Sequence, residues 1–239
     1  MSGATYFISD LHLDEERPYV TQALAAFLAS RRDAKALYIL GDLFEFWVGD
    51  DDDSPIATEV TKLLAEYSSA GPDLFLMHGN RDFLLGMRFA HNTGAQLLDD
   101  PTVIKLDGKD VLLMHGDSLC TSDEEYQAFR ALARSSDWQA SILAQTLDER
   151  RALAEHLRMA SKDAGSRKAA DIMDVTGSEV TKALTDSKTD VLIHGHTHRP
   201  NRHETDAGTR WVLGDWDQSG WYIKADSGDI ELIEFDIIQ

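Results

Sequence analysis

The chain has 239 residues, 43% of them hydrophobic and 27% charged, with a formal net charge of −19. That length and balance fit a soluble globular protein with one large domain, or one domain carrying an insertion. They exclude a general nucleic-acid binder, which needs a basic face for phosphates. No apolar run reaches the roughly 20 residues of a bilayer-crossing helix, and the single cysteine, Cys120, excludes an internal disulfide. With no signal peptide ahead of the first strand, the expected compartment is the cytoplasm.

Thr5-Tyr6-Phe7-Ile8 reads as a buried strand that ends in Ser9-Asp10-Leu11-His12. Val20, Leu24, Phe27 and Leu28 then recur at helical spacing over 19–31. A second strand, Ala36 to Leu40, ends in Gly41-Asp42. The acidic run Asp50 to Asp53 reads as a solvated loop or as a group of carboxylates beside bound cations. Ser54-Pro55 is a helix start, with Ser as N-cap and Pro at the first helical position, and Gly71-Pro72 stops that helix. Leu74 to Met77 is a third strand, ending in His78-Gly79-Asn80-Arg81-Asp82, and 83–90 is a short helix. Thr102 to Leu106 and Val111 to Met114 form a hairpin through Asp107-Gly108, closing on His115-Gly116-Asp117.

From Ser122, which forms a capping-box pattern with Glu125, to about Lys188 the composition is that of several helices inserted between two strands. The expected division is therefore a core of 1–121 and 188–239 with a helical insertion at 122–187. Within the insertion, 150–168 carries six basic residues (Arg150, Arg151, Arg158, Lys162, Arg167, Lys168) against two acidic ones, a local +4. That reads either as a solvated helix surface or as a lid for an anionic or lipid substrate. Val191-Leu192-Ile193 ends in His194-Gly195-His196-Thr197-His198. Three imidazoles in five residues are hard to explain as packing, because each needs a hydrogen-bond partner or a metal. The strands at 210–213, 221–224 and 230–238 suggest an antiparallel meander. Cys120 reads as a small core residue, His91 and His203 as surface, and the five tryptophans as core or rim.

Five apolar runs thus close on Asp, Asn or His beside a small residue. Strand ends on one sheet edge are where α/β proteins build sites, and this donor set suits two hard or borderline divalent cations. The blocks Asp10-x-His12, Gly41-Asp42, Gly79-Asn80-Arg81-Asp82, His115-Gly116 and Gly195-His196-x-His198 resemble the calcineurin-like metallophosphoesterases, in order and over nearly the whole chain. The resemblance implies a four-layer α/β/β/α sandwich. It implies one metal on Asp10, His12, Asp42 and His198, and a second on Asp42, Asn80, His115 and His196. Asp42 would bridge the two, and manganese is the expected ion. A two-cation centre acidifies water and neutralises charge in phosphoryl displacement.

The superfamily usually places histidine after the asparagine, where this chain has Arg81. A guanidinium cannot act as a general acid, so Arg81 favours a leaving group that needs no proton, such as a phosphate, and is the expected catalytic residue stabilising its charge. The less favoured reading pairs Arg81 with Asp82, and His78 is the other candidate acid. Ser9-Asp10-Leu11-His12-Leu13, Gly41-Asp42-Leu43-Phe44-Glu45, Met114-His115-Gly116-Asp117, Ile172-Met173-Asp174-Val175 and His194 to Pro200 are more narrowly similar to UDP-2,3-diacylglucosamine pyrophosphohydrolases of lipid A synthesis. That resemblance implies attack on the phosphorus nearer the nucleoside, giving UMP and lipid X. It implies acyl chains under the insertion and substrate contacts at Asn80, Arg81, Asp123, Tyr126, Ser161, Lys168 and His196. Gly165 departs from the asparagine common in its place. The expected partners are a lipid-linked nucleotide and the cytoplasmic face of the inner membrane, touched peripherally by a monomer. The competing readings are a dimetal phosphodiesterase or nucleotide-polyphosphate hydrolase of soluble substrates, and a metal-bearing scaffold without activity.

Overall fold

Alternate residues of the central strands bury on opposite faces, and this period of two builds the architecture. The computed structural model describes residues 3–167, 172 and 174–238, the side chains of 162–167 excepted. Strand β1 (Thr5–Ile8) leads to α1 (Pro18–Ala29), β2 (Ala36–Leu40), α2 (Pro55–Ser69), β3 (Asp73–Met77), α3 (Met87–Thr93) and β4 (Gln96–Leu98). The hairpin β5 (Thr102–Leu106) and β6 (Lys109–Leu113) follows. Then come α4 (Glu124–Ala133), α5 (Ser136–Leu143), α6 (Leu147–Arg167) and α7 (Gly177–Ser187). The chain closes with β7 (Val191–His194), β8 (Asn201–Thr205), β9 (Gly208–Val212), β10 (Ser219–Asp226) and β11 (Asp229–Asp236).

Two sheets result, ordered β11-β10-β1-β2-β3-β4 and β5-β6-β7-β9-β8. Phe7, Leu40 and Met77 from the first meet Leu113, Ile193 and Leu213 from the second in a core between the sheets. Ile8, Leu37, Ile39 and Leu76 face the other way, onto Leu24 and Phe27 of α1 and Val60 and Leu64 of α2. Leu112 and Leu192 of the second sheet turn outward onto Val180 and Leu184 of α7. Helix, sheet, sheet and helix therefore stack in four layers, each core filled by one parity of strand residues.

Several local expectations change. The expected terminal meander does not form: β9 joins the second sheet, parallel to β7, while β10 pairs antiparallel with β1 in the first. Gly214 and Asp215 begin a crossover between the sheets, held by Trp216, which is fully buried and packs edge-on to Phe27 and Phe235. Short strands β4 and β8 join the sheet edges, the first too short to read from periodicity. The short helix starts at Met87 rather than Phe83, after a turn through Gly86. The N-cap of α4 is Asp123, whose carboxylate accepts from Tyr126 N at 3.1 Å, and not Ser122. Ser54 does cap α2, accepting from Ala57 N.

Candidate metal centre

The parallel strands β1, β2, β3 and β7, together with β6, carry the expected ligands at their C-terminal ends. The backbone departs from ordinary L-residue geometry there. Asp10, His12, Asp42, His196 and His198 all have positive φ, between 48° and 66°. Left-handed backbone costs a non-glycine residue roughly 1–3 kcal/mol and persists only where surroundings enforce it. The other positive-φ non-glycines among the described residues, Asp107, Lys188 and Ser227, lie in hairpin turns or a helix cap. Two glycines permit the close approach of these loops. A Cβ at Gly79 would strike the Asp42 carboxylate, and one at Gly195 would strike Asp10 and Ser9.

The side chains converge in two groups, Asp10 with His12 and His198, and Asp42 with His115 and His196. His12 Nε2 lies 3.2 Å from His198 Nε2, and His198 Nε2 lies 3.4 Å from Asp10 Oδ1. Asp42 Oδ2 stands 3.8 Å from both His12 Nε2 and His115 Nε2, between the two groups. Asn80 Oδ1 completes the second group, 2.9 Å from His115 Nε2 and 2.8 Å from His196 Nδ1. All seven expected ligand residues are therefore brought together, with Asp42 between the two groups.

The residues fit a pair of cations. Asp10 is fully buried; its Oδ2 accepts from Ser9 Oγ and His196 N, and its Oδ1 faces the His198 ring at 3.4 Å. Burial pushes the His115 ring down, yet the carboxylates of Asp42, Asp117 and Asp10 outweigh it and raise it to about 9. Burial likewise opposes charge on His198, but hydrogen bonding to Asp10 and Asp215 raises it to about 10. A buried field that holds positive charge on two imidazoles would hold divalent cations on the same atoms. His196 is pushed down to about 3 by burial and then by His115, so its ring is neutral, as a ligand must be. Oxygen and imidazole donors without thiolate suit manganese, iron or zinc.

Several supporting residues were not singled out from sequence. Asp82 is fully buried and accepts three backbone N–H groups: Leu43 and Gly79 at 2.7 Å and Asp42 at 3.3 Å. It ties the β2 and β3 exits together, so the suggested Arg81–Asp82 pair does not form. Arg81 donates its backbone N–H to Asp42 Oδ1, and its buried Nε has no partner. His78 Nε2 is committed to the Leu85 carbonyl at 2.6 Å. Asp117 receives the Tyr126 hydroxyl at 2.6 Å and Arg130 Nε at 2.8 Å, while the Tyr126 ring stacks beside His196. Arg134 of α4 donates to Gly79 O at 2.9 Å. Asp82 and Asp117 adjoin motif residues and could have been flagged; Arg134 carried no signal.

A cavity of about 470 Å³ opens beside the two groups. Asn80, Arg81, Asp123, Tyr126, Ser161 and His196 line it, and so do Trp47, Phe83, Phe129, Trp138, Ile142 and Leu157. Lys168 lies outside the described residues. Much of the basic surface is committed elsewhere. Arg150 grips Asp51 through both Nη atoms and donates to Val48 O, while Arg151 pairs with Asp52 and Asp53. Asp50 accepts from Gly86 N and Phe89 N. The acidic run is thus a fastening for α6 and α3, neither a free loop nor a set of groups beside the cations. Cys120 is buried, as expected, and burial pushes its thiol up to about 12. His91 is exposed, as expected, whereas His203 is half-buried.

Residues 4–200 match the calcineurin-like phosphoesterase family. A UDP-2,3-diacylglucosamine hydrolase of Cellvibrio japonicus is 50% identical over 238 residues, covering 98% of this chain and 99% of its own. One of Marinobacter nauticus is 49% identical over 226 residues, covering 92% and 93%. Among solved structures, an archaeal phosphodiesterase superposes with a TM-score of 0.50 at 14% identity, covering 97% of this chain and 99% of its own, a likeness of fold alone. The ligand blocks, the four-layer fold and these matches together place the chain in the calcineurin-like phosphoesterase family, within its UDP-2,3-diacylglucosamine hydrolase branch.

Proposed function

We propose that the chain hydrolyses the pyrophosphate of UDP-2,3-diacylglucosamine, releasing UMP and 2,3-diacylglucosamine 1-phosphate. One observation carries this reading. The two ligand groups and a wall of aromatic and aliphatic side chains from the helices between β6 and β7 share a single cavity. A soluble nucleotide needs no such wall; an acylated sugar nucleotide buries its chains there, at roughly 25 cal/mol per Å² of apolar surface. Helices α4, α5 and α6 then form a lid over the substrate, while α7 belongs to the layer packed on the second sheet. Asp10, His12, Asp42 and His198 hold one divalent ion, and Asp42, Asn80, His115 and His196 the other, with manganese the preferred metal. When bound, the ions supply an acidified water and neutralise phosphate charge.

The chain's own residues do the rest. Arg81 lines the cavity beside Asn80, and its permanent positive charge faces the phosphates. Water adds to the phosphorus nearer the uridine, and the bond to the bridging oxygen breaks. The sugar phosphate leaves as an anion, so no side chain has to protonate it. His78, already donating to Leu85 O, is not required. Asp123 and Ser161 face the sugar from the lid side. Among the described residues no helix is long and apolar enough to cross a membrane. We read the chain as a monomer that meets its lipid substrate peripherally, at the cytoplasmic face of the inner membrane.

The test is manganese-dependent release of UMP from UDP-2,3-diacylglucosamine by the purified chain, run beside UDP-sugars lacking acyl chains and dinucleoside polyphosphates. Release from the acylated substrate alone is expected. Equal turnover of the soluble nucleotides would replace this reading with a general dimetal phosphodiesterase.

A further inference from the structure

Glu45 has a side chain only 15% exposed, at the rim of the metal centre, and both of its oxygens are engaged. Oε2 lies 3.1 Å from His12 Nδ1. Oε1 lies 3.0 Å from Nε of Arg158, which projects from α6, and Arg158 Nη1 also approaches Asp14 Oδ2 at 3.6 Å. The opposite nitrogen of His12, Nε2, faces His198 and Asp42 inside the centre. A carboxylate behind a ligating imidazole holds the proton on the rear nitrogen, aims the front lone pair and raises its basicity. The backbone of Glu45 is itself pinned. Its N–H donates to Leu13 O, and Leu13 N–H donates to Leu43 O, so the exits of β1 and β2 are zipped together. What α6 can adjust is therefore the Glu45 side chain.

The second ligand group has no such arm. His115 Nδ1 rests on the carbonyl of Leu40, a core strand residue, at 2.9 Å. His196 is held through Nδ1 beside Asn80, and its backbone N–H donates to Asp10. Among the described residues, the hydrogen bonds of these two histidines run to the strand exits and not to α6.

We propose that Glu45 is a positioning residue that couples α6 to one metal site only. Arg158 fixes the Glu45 carboxylate, Glu45 orients His12, and the site of Asp10, His12 and His198 thereby holds its cation more tightly when α6 is seated. The inference rests on the two-cation reading of the centre but not on the identity of the substrate. Seating of the helix that walls the substrate cavity and retention of that ion become mutually dependent, because coupling between two sites is reciprocal.

Titrating manganese into the metal-stripped full chain, by calorimetry and by electron paramagnetic resonance of the free ion, reads each site without turnover. The unaltered chain is expected to take two ions. Glu45→Gln keeps the shape but removes the charge. It is expected to weaken one site by roughly tenfold or more and to leave the other within about twofold. Arg158→Met should weaken the same site several-fold, with Arg158→Lys between it and the unaltered chain. The double substitution should be no weaker than Glu45→Gln alone, since the two residues act along one path. Arg151→Met, which loosens the same helix only slightly, at Asp52 and Asp53, without reaching Glu45, should change either affinity by less than about twofold. The proposal is overturned if Arg151→Met weakens binding as much as Arg158→Met, if both sites weaken together, if the two effects add, or if the unaltered chain holds fewer than two ions. Two ions bound with no UMP released would instead refute the substrate assignment and leave this coupling standing.

Discussion

At the scale of single residues, the centre is assembled from side chains whose backbones are forced into costly conformations by neighbours that do no chemistry. Asp82 is the clearest of these neighbours. Replacing it with alanine leaves three buried N–H donors without an acceptor, each costing about 1–3 kcal/mol. A fall in Tm of roughly 6–12 °C for the metal-free chain is expected by calorimetry, taking about 3 kcal/mol as the total and about 2–4 °C per kcal/mol for a domain of this size. Arg81 acts on a different quantity. Arg81→Ala should lower kcat/KM for the nucleotide lipid by about 10²–10³, the usual loss of one preorganised charge donor, while Tm and metal content stay unchanged. Arg81→His would put the superfamily's usual residue back, and it should not restore the rate if the leaving group needs no proton. Tyr67 is one contributor to the alkaline pH dependence of stability. Its hydroxyl is buried beneath α1 and donates to Arg31 O, and burial raises it from 10.0 to about 12. The folded state therefore keeps this proton where the unfolded chain has lost it. The stability it contributes is complete below pH 10 and declines as pH rises towards 12. Tyr67→Phe should flatten the fall in urea midpoint measured between pH 9.5 and pH 11.

At the scale of elements, α6 is fastened to the core by pairs far apart in sequence. The acidic run and the basic cluster each read alone as surface charge. Together they form a clasp in which Arg150, only 4% exposed, reaches Val48 O and Asp51. Arg150→Met strands a buried carbonyl and removes a bidentate pair, so amide exchange across 147–161 should quicken while the strands stay protected. Arg151→Met should have a smaller effect that disappears at high salt, because its partner Asp53 is exposed and screened. No change in exchange for Arg150→Met would mean that apolar packing, not the clasp, seats the helix. The crossover through Trp216 is a second such element. Its N–H donates to Asp10 O and its ring fills the outer core, linking the last strands directly to a ligand backbone.

At the scale of the whole molecule, a formal charge of −19 and a centre with four buried carboxylates, Asp10, Asp42, Asp82 and Asp117, make the fold a receiver of cations. Each ion that binds only the folded chain stabilises it by mass action, by about 2.7 kcal/mol at one hundred times its dissociation constant. Removing both by chelation should therefore lower Tm by roughly 10–20 °C without abolishing the transition, since three separate apolar cores remain. Which groups meet at the sheet edge was legible in the chain, because each follows an apolar run and a strand end is a local event set by period-two burial and a small residue; their assignment to two metals came from the resemblance. The four-layer sandwich came from resemblance, and the alternation of the strand residues agrees with it. The destination of β9 and β10 was not legible: a glycine turn looks the same in a hairpin and in a crossover, and only burial of Trp216 between Phe27 and Phe235 selects one. Nor was the left-handed backbone of Asp10, His12, Asp42, His196 and His198, which no local preference produces and which contacts such as Asp42 N–H to Asp82 and His196 N–H to Asp10, 40 and 186 residues apart along the chain, impose. Local pattern determined which groups could hold metal. Long-range packing decided how they are aimed, because orientation depends on partners such as Asp82, Glu45 and Arg158 that only the tertiary structure brings near.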